Sequence, residues 1–159
     1  MNYDFDYKQL GTVTDTMVEK LLEFSKRFKF TPFQKWPITS SGPLDLNLIE
    51  IKDILNYLSD IADPSMCTRV HINTLLPMSY VFEHSDTDTD VHRLHIPLIS
   101  NDRCSFMWSG RDNRMSSLCQ MTVGGVYIMN EVANHSLINL SREPRIHFVL
   151  IYTSDAIKI

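Results

Sequence analysis

Residues 83–98 read EHSDTDTDVHRLHIPL, which sets three histidines, one arginine and four carboxylates at the start of an apolar stretch. Side chains two apart in an extended chain share a face. Over 91–99, His92, Leu94, Ile96 and Leu98 therefore fall on one side, and Arg93, His95, Pro97 and Ile99 on the other. The same rule aligns His84 with Asp86, His135 with Leu137 and Asn139, and Arg145 with His147 and Val149. One face of several strands is apolar, and the opposite face carries His, Asp and Arg. A sheet that met water on that second face would carry a mixture of Lys, Glu, Thr and Ser. Imidazoles and guanidinium groups point instead to a lined cavity, where each needs a hydrogen bond, a counter-charge or a metal to offset its desolvation.

Working outward, strand-like segments recur at 68–76, 79–84, 91–99, 103–108, 116–122, 125–130, 133–139 and 145–153, rich in Val, Ile, Leu and aromatics and separated by turn residues. The first part reads differently. Thr16 followed by Glu19 has the form of a capping box, and Met17, Leu21, Leu22 and Phe24 recur at helical spacing as far as Lys26 and Arg27. A Pro-, Ser- and Gly-rich loop covers 31–43. Ile51, Ile54, Leu55, Leu58 and Ile61 then form a second helical stripe, closed by Pro64. The expected fold is mainly β with N-terminal helices: a small barrel or jelly roll with helices packed on one sheet. It is expected as one domain over 1–159, with mainly helical support over 1–65 and the β core over 66–155.

Composition narrows the function classes. The chain has 159 residues, 43% hydrophobic and 21% charged, ordinary values for a globular domain large enough to fold without staples. A net charge of -4 with no basic cluster argues against nucleic acid as a direct partner. No stretch approaches the ~18 apolar residues of a membrane span, and the start lacks a basic segment followed by an apolar run. A cytoplasmic protein is expected, with Cys67, Cys104 and Cys119 as reduced, buried thiols.

His84 and Asp86 form an HxD pair, and His135 follows 51 residues later on another strand. Two imidazoles and a carboxylate are the ligands of the facial triad that binds non-haem iron, although the same donors suit zinc. HxD alone arises often by chance. A calcium loop is excluded, because Val91 stands where that loop needs Gly and Pro97 where it needs Glu. Asp88 and Asp90 then read as loop carboxylates. A serine hydrolase is excluded by the absence of a GxSxG elbow and by Ser85, which points away from His84 and Asp86 in an extended chain.

The segments EHSDTDTDVHRLHIPLIS and GGVYIMNEVANHSLINLSREPRIHFVLIYTSD resemble the aspartyl/asparaginyl β-hydroxylase family of Fe(II)- and 2-oxoglutarate-dependent oxygenases, over about 69–155. The resemblance implies a double-stranded β-helix, a jelly-roll variant. It implies that His84, Asp86 and His135 bind Fe(II) and that Arg145 grips the distal carboxylate of 2-oxoglutarate. It places Arg93 and His95 as further cosubstrate contacts, and Asn73 where some members offer a hydroxyl. The implied reaction uses O2, decarboxylates 2-oxoglutarate to succinate and hydroxylates an unactivated C–H bond of an amino acid or peptidyl residue. Asp86 stands where the animal peptidyl hydroxylases carry Gly, so their substrates do not transfer. Met78, in LLPMS, stands where the family usually turns on Gly. The chain is short beyond the barrel, which favours a small substrate or one delivered by a partner.

Chemistry supports the cosubstrate independently, since a dianionic keto acid needs a metal at one end and a forked cation at the other. The competing role for Arg145 is a surface ion pair with Glu143. Trp108, Arg114 and Asn130 are candidate substrate contacts. His92 lies on the apolar face, while His71 and His147 fit either the pocket or the core. The rival from another class is a non-catalytic jelly-roll module that binds a ligand or partner.

Overall fold

A computed structural model describes residues 4–32, 36–86, 90–109 and 115–158, with 115 and 116 described by their backbone only. In chain order the elements are β1 (Tyr7–Thr12), α1 (Asp15–Ser25), β2 (Thr31–Pro32), β3 (Ile38–Ser40), α2 (Ile49–Tyr57), a 3-10 turn (Pro64–Met66), β4 (Cys67–Leu75), β5 (Ser79–His84), β6 (Val91–Ile99), β7 (Cys104–Ser109), β8 (Met115–Cys119), β9 (Gly125–Met129), β10 (His135–Asn139) and β11 (Arg145–Thr153). Two antiparallel sheets result, a larger one ordered β1-β9-β6-β11-β4-β3-β2 and a smaller one ordered β5-β10-β7-β8. The architecture is mainly β, the double-stranded β-helix arrangement. Among the described residues no helix is long and apolar enough to cross a membrane.

The three nine-residue strands β4, β6 and β11 form the middle of the larger sheet, and their alternation divides the molecule. Their even-numbered residues, among them Ile72, Leu94, Ile96, Phe148 and Leu150, join one buried cluster with Leu21 and Phe24 of α1 and Ile51 and Ile54 of α2. Their odd-numbered residues face the other way, toward the smaller sheet. Between the sheets, Leu75, Val81, Phe106, Trp108 and Leu137 form a second, smaller cluster.

The structure corrects several boundaries. α1 begins at Asp15, and its cap lies two residues before Thr16: the hydroxyl of Thr14 accepts the amide of Met17 at 3.2 Å. α2 ends at Tyr57; Pro64 does not close it but opens the following 3-10 turn, capped by Asp63. β1, β2 and β3 were absent from the sequence reading. They are short or exposed edge strands, and they lack the apolar alternation that betrays a strand. Met78 takes a positive φ of 49°, the backbone conformation for which Gly is suited, at a position 67% exposed. Cys67, Cys104 and Cys119 are free and buried.

Candidate active site

The odd-numbered face of the larger sheet and the inner face of the smaller one enclose a cavity of about 410 Å³. Its wall includes Asn73, His84, Asp86, Arg93, His95, His135 and Arg145, so seven candidates read from separate segments share one space.

His84 ends β5 and His135 opens β10, and the two are register partners with ring centroids 4.4 Å apart. Each ring has its Nδ1 against a carbonyl two residues back, His84 on Phe82 O at 2.9 Å and His135 on Ala133 O at 3.0 Å. An Nδ1–H donated to a carbonyl leaves the Nε2 lone pair available, the usual support for a metal-binding histidine. Asp86 follows β5, and its backbone N–H donates to Glu131 O at 2.8 Å. Its Oδ1 lies 3.9 Å from His84 Nε2. One donor atom from each of His84, Asp86 and His135 fits within 4.8 Å of the others, the compactness a metal ion requires. Trp36 packs on the His84 ring, with centroids 4.9 Å apart.

Glu131 is the residue that sequence reading missed. It is buried, and its carboxylate accepts from Arg93 at 2.8 Å and from His95 at 2.9 Å. Burial alone would raise its pKa, but the hydrogen bond and charge of His95 and the charge of Arg93 hold it down to about 2. Arg93 reaches Asp86 as well, at 3.1 Å. Glu131 thus couples Arg93 and His95 of β6 to the loop that carries Asp86. The one signal in the sequence is indirect: Arg93 and His95 on an inward face demand a buried counter-charge, and parity cannot locate a partner that sits in the β9–β10 turn. Asp86 has its pKa raised by burial and then by Glu131, and that of His135 is lowered chiefly by burial.

Arg145, which also lines the cavity, opens β11. The turn before it is fixed by Asn139, whose amide donates to the carbonyls of Leu75, Leu76 and Glu143, while its oxygen accepts the Ser141 amide. Arg145 is 6% exposed, whereas Glu143 lies on the surface, so the surface ion pair is excluded. Its Cζ lies 4.7 Å from the centroid of Phe106, and its Nε has no hydrogen-bond partner among the described residues. Burial lowers its pKa to about 10, which leaves it a cation at neutral pH. His147, one inward position along β11, is also buried and lines the cavity. Asn73 is its register partner on β4, and His71 lines the same wall.

Other candidates fall elsewhere. Trp108 is corrected from a substrate contact to a buried support: it is 1% exposed, stacks between Tyr7 and Phe106, and donates its indole N–H to Asn130 O at 2.9 Å. Asn130 does not line the cavity either; its side-chain oxygen accepts the Ala133 amide and shapes the turn into His135. His92 is buried on the opposite face, its Nε2 2.8 Å from Ser154 O. Arg114 and Asp88 lie outside the described residues, and Asp90 is exposed.

Two antiparallel sheets that enclose a histidine–carboxylate cluster place the chain with the double-stranded β-helix oxygenases, and solved structures share that fold. A 2-oxoglutarate–Fe(II) oxygenase-family oxidoreductase from Burkholderia pseudomallei superposes with a TM-score of 0.71 at 16% identity, over 94% of this chain and 85% of that one. A Pseudomonas putida prolyl-4-hydroxylase gives 0.72 at 12%, over 94% and 93%. HygX from Streptomyces hygroscopicus, solved with nickel, 2-oxoglutarate and hygromycin B, gives 0.68 at 11%, over 93% and 82%. Identities this low establish the fold. The family model for aspartyl/asparaginyl beta-hydroxylase matches residues 48–153, and the chain belongs to that family. No curated protein sequence matches it.

Proposed function

We propose that the protein is an Fe(II)- and 2-oxoglutarate-dependent dioxygenase that hydroxylates an unactivated C–H bond of an amino acid or peptidyl residue. The observation that carries this reading is the pairing, in one cavity, of the compact His84–Asp86–His135 cluster with Arg145, a buried cation that no described carboxylate neutralises. A site that binds only a metal does not need that cation. A dianionic keto acid does, and a forked guanidinium is its best partner.

In this reading His84, His135 and Asp86 would hold the metal, which would supply C–H hydroxylation by O2 coupled to decarboxylation of 2-oxoglutarate to succinate and CO2. The chain itself orients and insulates. Backbone carbonyls hold the two rings, Glu131 holds the Asp86 loop, and Arg93, tied to Glu131 and Asp86, offsets part of the repulsion between the carboxylates. Arg145 would anchor the distal carboxylate of the keto acid, with Asn73 and His71 lining the same cavity. HygX, solved with both 2-oxoglutarate and a small molecule, supports a small-molecule substrate in a cavity of this fold, and the prolyl-4-hydroxylase supports hydroxylation.

The test is succinate release by the iron-loaded protein across amino-acid and peptide panels, with mass spectrometry for a gain of one oxygen. Release that depends on substrate, iron and 2-oxoglutarate together is expected. Background release with every substrate tested would favour a binding module with a polar lining.

A further inference from the structure

The smaller sheet has a second face, turned away from the cavity. Its inward side chains, among them Val81, Phe106, Cys119 and Leu137, fill the cluster between the sheets, so the residues that alternate with them point outward. An antiparallel sheet with one face in water normally sets polar side chains there. This one sets Tyr80, Phe82, Ile138, Met107 and Leu118 there, and Ile138 is the cross-strand partner of Tyr80 as Met107 is of Leu118. Phe82 is 71% exposed, with its ring edge-on to Tyr80 at a centroid distance of 5.2 Å. At one end of the face Leu140, 52% exposed, and Met78 carry the patch past the strands, and the Met78 amide donates to Ser141 O beside Leu140.

The five most exposed of these side chains, Phe82, Met78, Leu140, Leu118 and Tyr80, leave roughly 500 Å² open, at about 200 Å² for a large side chain. That is near the upper end of the about 300–600 Å² expected of the largest apolar patch on a monomer. The connection from β7 to β8 over 110–114 reads GRDNR and has no apolar side chain to lay over it. Charges flank the patch at opposite ends. Glu83, exposed, stands where β10 begins and accepts from the Ser109 hydroxyl and the Asn134 side-chain amide. Arg103, also exposed, stands where β10 ends, and its carbonyl accepts the Leu140 amide at 2.9 Å.

We propose that a second copy of this chain docks on the outer face of the smaller sheet, sheet against sheet about a two-fold axis, with the strands of the two copies antiparallel. A two-fold interface joins a patch to itself, so a charge at its centre would meet its own like. The centre here is apolar, which suits a self-pairing surface on a chain of net charge -4. The antiparallel arrangement lays the Glu83 end of each copy over the Arg103 end of the other, twice per dimer, whereas the parallel one sets like on like. Heights match as well. Phe82 projects, while Ser105 and Ser136 on the same face are short and buried, so two copies have high and low ground to interdigitate. A stable dimer covers about 800 Å² per partner, of which about two thirds is apolar, and this patch with its polar rim is of that size. Docking here leaves the cavity open and braces from behind the two strands, β5 and β10, that carry His84 and His135.

The experiment is sedimentation of the purified full chain across about a hundredfold range of concentration, with thermal melts on the same samples. The mass should pass from one chain to two, and Tm should rise with concentration, because association stabilises the folded state. Phe82→Lys sets two ammonium groups in the dimer's apolar centre and should raise the dimer Kd by about a hundredfold or more. Leu140→Lys should act in the same direction. Both side chains are exposed in the single chain, so circular dichroism should stay unchanged. Ile49→Lys alters an exposed apolar residue on α2, across the molecule, and should leave the dimer as it is. Arg103→Glu should weaken the dimer, and adding Glu83→Arg to the same chain should restore it. A single-chain mass at every concentration overturns the proposal without recourse to any variant, and leaves the face to a different protein. A dimer that survives both Phe82→Lys and Leu140→Lys overturns it by placing the interface elsewhere. Failure of the charge exchange to restore assembly overturns the antiparallel arrangement.

Discussion

Removing the Arg145 guanidinium leaves the cavity without a buried cation. Arg145→Ala is expected to raise the KM for 2-oxoglutarate more than about tenfold, since a charged hydrogen bond is worth roughly 1.5–3 kcal/mol. Metal affinity should hardly change, which a cobalt titration would check. Glu131 acts on stability as well as on the site. Its folded carboxyl titrates at about 2 against an ordinary 4.5, so it stabilises the fold above the higher value, and that contribution fades as pH falls from there toward 2. Glu131→Gln leaves Arg93 partly unpaired and is expected to cost about 3–5 kcal/mol at neutral pH. Its denaturation midpoints should also depend less on pH than the parent's between those limits. A variant with an unchanged acid slope would show that Glu131 is not the linked group.

At the scale of elements, the turns do as much as the strands. Asn139 ties the end of β4, the Ser141 amide and the Glu143 carbonyl into one knot, and β11 leaves that knot with Arg145 as its first residue. Asn139→Ala strips hydrogen bonds from several carbonyls at a fully buried position and is expected to destabilise by about 2–4 kcal/mol, measured by urea denaturation. The strands that carry the cavity were legible because each is buried on both faces with different chemistry on each, so a two-residue period in 91–99 or 145–153 sorts core from site. α1 and α2 were legible from their apolar stripes. What stayed hidden had no period to betray it: β1 at one edge of the larger sheet, the short β2 and β3 at the other end of it, and Glu131 in a turn. Trp108 misled for the same reason, since an aromatic residue beside a predicted site reads equally well as wall or as support, and only the stacking with Tyr7 and Phe106 decides.

Across the whole molecule, metal and keto acid would bind the folded state alone, because their partners come from β5, the loop after it, β10 and β11. Folding and ligation are then linked. Stripping the metal with a chelator should lower Tm, and 2-oxoglutarate at 100 times its Kd should add about 2.7 kcal/mol to the zinc-loaded protein. The keto acid should give no such increment after chelation, which a thermal melt with and without metal would show.

The alternation of β4, β6 and β11 carries a constraint on how such a chain can change over time. Replacing an odd-numbered residue alters the chemistry of the chamber and leaves the helix-backed layer alone, so substrate preference is free to drift by point substitution. Losing or gaining one residue inside any of the three strands exchanges its two faces, sending arginine and histidine into the aliphatic layer and isoleucine toward the metal. Length variation should therefore be confined to the connecting loops among descendants of this chain, while residue identity varies within the strands.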